Sequence, residues 1–524
     1  MGSRVCVIGL DGADLDLLLP WIEGGKLPAL KRLMDEATYG KLESTIPPLS
    51  PCAWASFMTG VNPAKHGIFD AVSYRDHSYE RVFNTTENIR SQKLWDLIGE
   101  KGKRSIVINV PLTYPAQRIE GIMISGMMTP RNQPYSNPPE IAEEIEKNVG
   151  PYRIDIDPGT VDDEEALIRE IHSTTRTRID VSHYLMKKYP WDLLIMVVTG
   201  TDRIQHFFWN KQEEVILPYY RELDSLLGSF LGSLGEETSV IILSDHGFGA
   251  IHKTLYLNAW LERVGLLKMS RDLHSWRDTE WSTQLGARFG RPPQPKRGGV
   301  LRDLWKMVLG RSLHIDWLRT RAFLAFSGSS HGIHLNLRGR NPQGTIDPGE
   351  PYERVRDFIL DALLRLQDEE DGRLIMERVF KKEEIYHGPF LGEAPDILFM
   401  PRGYQYHLSG RITRNLLRKR KLGKGSHTLY GLYGIRGGGI LRGRRYDGPS
   451  IMDLFPTILY ILDLPVPREV DGKVLREAFE SDFLSVKPTQ FEDRSLRKTG
   501  PSVDTSGEED EEIERRLRSL GYID

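Results

Sequence analysis

DLLIMVVTGTDRIQH, residues 192–206, decides the fold. Residues 193–198 form an unbroken apolar run with no polar alternation, as in a strand covered on both faces. TGTDRIQH then reads as a helical turn, in which the i, i+4 spacing puts Asp202 and His206 on one face. An exposed Asp beside a surface His would satisfy the same spacing. The buried strand just before them favours the other reading, a pair of metal ligands.

Working outward, similar runs recur at RVCVIGL (4–10), RSIVINV (104–110), SVIILS (239–244), GIHLNL (332–337) and DILFM (396–400). Helical patterns lie between them at LPALKRLMDEA (27–37), PPEIAEEIEKNV (138–149) and PYERVRDFILDALLRLQDE (351–369). The alternation predicts an α/β fold with a doubly wound, mostly parallel sheet and helices on both faces. Ligands in such folds sit beyond the carboxyl ends of the strands. Asp11, Asp202 and Asp245 each follow a predicted strand, so three carboxylates distant in sequence are expected on one rim.

The remaining candidates follow from local chemistry. Asp11 lies in IGLDG, which alone also reads as a turn. Ser50, in PPLSPCAW, stands at a helix start, where a serine serves either as an N-cap or as a nucleophile activated by a cation and the positive helix end. Asp245 and His246 in LSDHG are the most specific short motif, because a plain turn rarely needs a His beside an Asp. His427 ends GSH, and His331 and His334 alternate in SSHGIHLN. Trp54, His331 and His334 are candidate substrate contacts.

The ordered set IGLDG, TIPPLSPCAWASFMTGVNPAKHGIFD, TDRIQH, SDHGFG, YGLYGIRGGGI and DLFPTILYILDLPVPREVDGKVL resembles the alkaline phosphatase superfamily, and within it the type I phosphodiesterase/nucleotide pyrophosphatase-like branch. The resemblance implies two divalent metal ions, one held by Asp202, His206 and His427, the other by Asp11, Asp245, His246 and the Ser50 oxygen. It implies phosphoester hydrolysis through a phosphoseryl intermediate on Ser50, with phosphomutase or phosphotransferase activity as the alternative within the superfamily and a non-catalytic metal-binding scaffold as the reading from another class. Mixed nitrogen and oxygen ligands favour zinc, with manganese the other candidate. Three carboxylates and an alkoxide would balance two dications, leaving the imidazoles neutral. The chain departs from the diesterase pattern at Ala53, where an asparagine is expected, and SPCAW lacks the sulfatase arrangement.

Composition narrows the partners. A chain of 524 residues with 39% hydrophobic content can bury a large core. The formal net charge of −3 gives no global pull toward nucleic acid or an anionic membrane, so a small phosphorylated substrate is the expected partner. Two cysteines cannot build a disulfide framework, no apolar run reaches the roughly 18 residues of a membrane span, and no secretion signal is visible, so a cytoplasmic location is expected. The basic run RITRNLLRKRKLGKGSH (411–427) reads as a solvated face that could also draw in a polyanion.

The expected organisation is a catalytic core at 1–267 and 322–483, with a helical cap or lid inserted at 268–321. The insertion holds Trp276, Trp281, Trp305 and Trp317, the joint GRPPQPKRGG (290–299), and an apolar face through Val300, Leu304 and Val308. A hairpin that only packs on the core, or a membrane-surface helix, would carry the same pattern. Residues 484–524 read as a flexible polar linker and a docking helix with Ile513, Leu517 and Leu520 on one face.

Overall fold

The computed structural model describes residues 4–75, 77–161, 163–270, 314–325, 330–420, 424–497 and 507–520. Its centre is a nine-stranded sheet in the order Arg444–Arg445, Thr38–Glu43, Tyr430–Arg436, Thr238–Leu243, Arg4–Leu10, Leu193–Val198, Ser105–Ile108, Gly121–Ile124, Ser136–Asn137. The five strands from Thr238–Leu243 to Gly121–Ile124 are parallel, and antiparallel pairs flank them. Val5 to Ile8, Leu193 to Val197 and Val240 to Leu243 are at most 2% exposed, which is why these runs carry no polar alternation.

The three strands that lead to Asp11, Asp202 and Asp245 are immediate neighbours in register, with Val5 opposite both Leu193 and Ser239. At roughly 4.8 Å between strands, their carboxyl ends span about 10 Å, so the three carboxylates share one stretch of rim.

GIHLNL and DILFM do not join this sheet. Gly332–Leu335 and Ile397–Pro401 form the middle of a separate four-stranded antiparallel sheet with Ala322–Leu324 and Met376–Lys381. The helix Glu350–Leu364 packs on it through Val355, Ile359 and Leu363, making a second hydrophobic core. Ile333 and Leu335 alternate with His334 and Asn336, and that period of two fits an antiparallel strand with one polar face rather than a doubly covered parallel one.

Of the expected insertion, Trp276, Trp281, Trp305 and the 300–309 helix lie outside the described residues, while Trp317 stacks on Tyr79 with ring centroids 3.7 Å apart. The stretch expected to be a flexible linker is tied down as far as Arg497. Phe491–Glu492 pairs with Val466–Pro467, Gln92 N donates to Leu496 O at 2.7 Å, and Leu496 is buried. The last helix, Gly507–Leu520, buries Ile513 and Leu517 in the main core. Among the described residues, no helix is long and apolar enough to cross a membrane, and Cys6 and Cys52 are buried free thiols.

Candidate active site

Each side chain arrives by a short local device. Asp11 follows its strand directly, and Gly12 takes a left-handed turn (φ 66°). Asp202 and His206 sit one turn apart on the helix Gly200–Phe208. Ser50 is the first residue of the helix Ser50–Thr59; the cap position is Leu49 and no side chain caps that end, so the serine is not an N-cap. His427 comes from the strand Gly425–Thr428, which pairs with Gly247–Ala250 so that His427 lies opposite Phe248. Gly247 permits this ribbon, because a Cβ there would lie 2.1 Å from the Tyr430 carbonyl oxygen.

The carboxylates share one pattern. Asp11 Oδ2 accepts from Trp54 Nε1 at 3.2 Å, Asp245 Oδ1 accepts from Gly12 N at 3.2 Å, and Asp202 Oδ2 accepts from Arg203 Nη1. In each case the second oxygen faces the imidazoles. Asp202 Oδ1 is 3.3 Å from His206 Nε2 and 3.2 Å from His427 Nε2; Asp245 Oδ2 and Asp11 Oδ1 are 3.3 and 3.7 Å from His246 Nε2. Asp11 Oδ1 and Asp245 Oδ2 are buried, with no hydrogen-bond donor among the described residues.

The imidazoles match. Nδ1 of His206, His246 and His427 lies 3.2, 3.0 and 3.1 Å from the carbonyl oxygens of Gly425, Gly247 and Pro48. A carbonyl only accepts, so in the neutral form of each ring Nδ1 carries the proton and Nε2 presents a lone pair. His206 Nε2 and His427 Nε2 are 3.0 Å apart, and both lie within 3.3 Å of Asp202 Oδ1. Backbone carbonyls that fix the tautomer are the usual support of metal-bound histidines, and a cation beside Asp202 Oδ1 would draw on both Nε2 lone pairs. Two overlapping trios, Asp202/His246/His427 and Asp11/Asp245/His246, each bring ligand atoms within 4.8 Å of one another. Ser50 Oγ donates to His246 Nε2 at 3.1 Å.

Electrostatics divides the cluster. Burial pushes the Asp11 carboxyl well above its usual range, and Asp245 and Asp202 add to the rise. Burial also takes Asp245 to about 7, against the Gly12 N–H. Burial would raise Asp202 too, but His206 and Arg203 outweigh it and hold that carboxyl well below the ordinary range. Burial, then His427, keeps the His246 imidazole neutral far below its usual pKa.

The seven residues expected at the rim therefore meet. The three expected substrate contacts divide. Trp54 is fully buried, packs edge-on against Phe57 and serves Asp11, so its ring is in the core rather than open to a ligand. His334 belongs to the antiparallel sheet, 3.9 Å from Asp396 and packed on Tyr74 and Phe323. His331 packs on Tyr404 and Phe399; burial, then the neighbouring His427 and His407, lowers its pKa to about 3.

Sequence reasoning missed the residues between the ligands. Thr201 Oγ1 donates to Asp11 O at 2.6 Å, Gln205 Nε2 to Gly12 O at 2.7 Å, and Arg203 to Asp202 and Asp155. Their signal was present, since a polar turn that follows a fully buried strand must bury its own polar groups and pair them.

Comparison with known proteins agrees with the geometry. The type I phosphodiesterase / nucleotide pyrophosphatase family model matches residues 5–427. No curated protein sequence matches. Among solved structures, a variant of the alkaline phosphatase PafA aligns with TM-score 0.55 at 14% identity, covering 92% of this chain and 100% of that one. Phosphonoacetate hydrolase from Sinorhizobium meliloti 1021 aligns with TM-score 0.52 at 16% identity, covering 88% and 96%. Human ectonucleotide pyrophosphatase/phosphodiesterase 5 aligns with TM-score 0.50 at 13% identity, covering 91% and 100%. These structures share the alkaline phosphatase-like fold; the family match, over most of the chain, makes this protein a member of the type I phosphodiesterase / nucleotide pyrophosphatase family and a hydrolase of phosphoester bonds.

Proposed function

We propose that the protein is a two-metal phosphoesterase that works through a phosphoseryl intermediate on Ser50 and acts on a small phosphorylated substrate. One observation carries this reading: the Nε2 edges of three imidazoles and one oxygen each of Asp11, Asp202 and Asp245 converge at a single spot, next to a buried serine at a helix start.

Asp202, His206 and His427 would hold one divalent cation, and Asp11, Asp245, His246 and the Ser50 oxygen the other, with zinc favoured by the mixed donors and manganese the alternative. When bound, the cations supply the positive charge that favours the Ser50 alkoxide and neutralises the phosphoryl oxygens. Ser50 Oγ attacks phosphorus from the first turn of its helix, whose positive end favours the developing negative charge. The Oγ–P bond forms as the bond to the leaving oxygen breaks. Water then cleaves phosphoserine, restoring Ser50 and releasing phosphate from a monoester or a phosphomonoester from a diester. Ala53 offers no side-chain amide beside the nucleophile, so the substrate's non-reacting part is held by other groups.

The test is turnover of bis(p-nitrophenyl) phosphate and p-nitrophenyl phosphate by the metal-loaded protein. Ser50→Ala lowers kcat about a thousandfold or more on the preferred ester while the fold and metal content persist. Unchanged turnover in Ser50→Ala rejects the nucleophile. Transfer of the phosphoryl group to an added alcohol in place of water indicates a phosphotransferase, and metal loading without turnover of any ester indicates a scaffold.

A further inference from the structure

Behind Asp202 runs a row of alternating buried charges that ends on the last helix of the chain. Arg203, whose side chain is 0% exposed, donates from Nη1 to Asp202 Oδ2. Its other edge grips Asp155, Nε to Oδ1 at 3.2 Å and Nη2 to Oδ2 at 2.6 Å. Asp155 Oδ2 in turn lies 3.9 Å from Nη2 of Arg516, whose Nη1 donates to Thr129 O at 3.1 Å. The helix that carries Arg516 is fixed by Ile513 and Leu517 in the core and by Glu512, which accepts from Arg131 N at 2.8 Å.

We propose that Arg203 and Asp155 are positioning residues for Asp202, and that the C-terminal helix, through Arg516, is part of the metal-site support rather than a packing element alone. The proposal rests on the reading of Asp202 as a metal ligand. A carboxylate that binds a cation through one oxygen needs the other held. Arg203 occupies Oδ2 and leaves Oδ1 facing His206 and His427. A planar guanidinium suits this role because its two edges serve two carboxylates at once, fixing the angle between them. Asp155 is then shared by two guanidiniums. Without Arg516, its charge falls on Arg203 alone, and the guanidinium is drawn from Asp202 toward Asp155, loosening the ligand.

The experiment uses the full chain and Zn2+ as probe. Zinc affinity is measured by competition with a chromogenic chelator for the wild type, Asp202→Asn, Arg203→Lys, Arg516→Met and Arg516→Lys, with thermal melts of the metal-free proteins alongside. Arg516→Met keeps the apolar stem and removes the charge, so it separates charge from packing. Removing a group that hydrogen-bonds a metal ligand typically costs about 10–100-fold in affinity. One layer further out, Arg516→Met weakens zinc binding about 3–10-fold, Arg516→Lys restores it to within about twofold, and Arg203→Lys, which loses the two-edged fork, weakens it about tenfold or more. Zinc affinity within twofold of wild type in both Arg516→Met and Arg203→Lys overturns the proposal, whatever the melts show. Asp202→Asn distinguishes the two failures. If it binds zinc as the wild type does, the ligand reading itself is wrong; if it loses zinc while Arg516→Met does not, only the relay is.

Discussion

The two halves of the site are built from the same residue types but compensated differently. On one side Asp202 lies against Arg203 and two imidazoles, and its carboxyl is held well below the usual range despite burial. On the other, Asp11 and Asp245 share a buried space with neutral His246, and burial drives both carboxyls up. The first half carries its own counter-charge and folds as a carboxylate; the second holds protons that a cation must displace. Metal binding on the second side is therefore expected to release more protons and to depend more steeply on pH.

Removing one charge from each half breaks the comparison most directly. In the metal-free protein, Asp202→Asn leaves Arg203 less compensated in the core and costs about 3–5 kcal/mol, whereas Asp245→Asn removes an uncompensated buried charge and leaves stability above pH 7 unchanged or raised. Urea denaturation of both variants in chelator measures the difference, and equal losses would mean that the halves are not distinct.

The pH dependence of the metal-free fold sharpens it. Asp245 rises from the ordinary 3.8 to about 7 in the folded protein, so its contribution is fully present below about pH 4 and lost as pH rises through 7. Asp202 has the opposite sign: its contribution is present above the unfolded value and is lost only in acid. Stability in chelator is expected to fall by on the order of 2–4 kcal/mol between pH 5 and 8, and added zinc to flatten that slope. A flat profile without metal would contradict the assignment.

Smaller changes probe single contacts. Trp54→Phe keeps most of the ring and removes the N–H that holds Asp11 Oδ2, so zinc affinity is expected to drop about tenfold with a loss of roughly 1 kcal/mol in stability. His334→Gln, in the antiparallel sheet, is expected to change kcat/KM by less than about twofold, because its neighbours are Asp396, Tyr74 and Phe323. A large effect there would reinstate it as a substrate contact.

Much of this molecule is legible without coordinates. Unbroken apolar runs can be stable only when covered on both faces, so they fix the parallel centre of the sheet, and the Asp residues placed straight after them fall on its rim for the same reason. The i, i+4 pair Asp202/His206 follows from helical geometry alone. Other features depend on contacts distant in the chain, which no local pattern encodes. GIHLNL and DILFM are apolar enough for either sheet, and only their strand partners place them, and His334 with them, in the antiparallel one. Trp54 reads as a rim aromatic until the packing aims its N–H at Asp11. The carbonyls that set each histidine's tautomer come from residues that look like turns, and Arg516, near the end of a polar tail, reaches Asp155 only when the last helix docks. The ligands were visible because chemistry restricts which residues bind metals. Their supports were not, because almost any donor at the right place will do, and that place exists only in three dimensions.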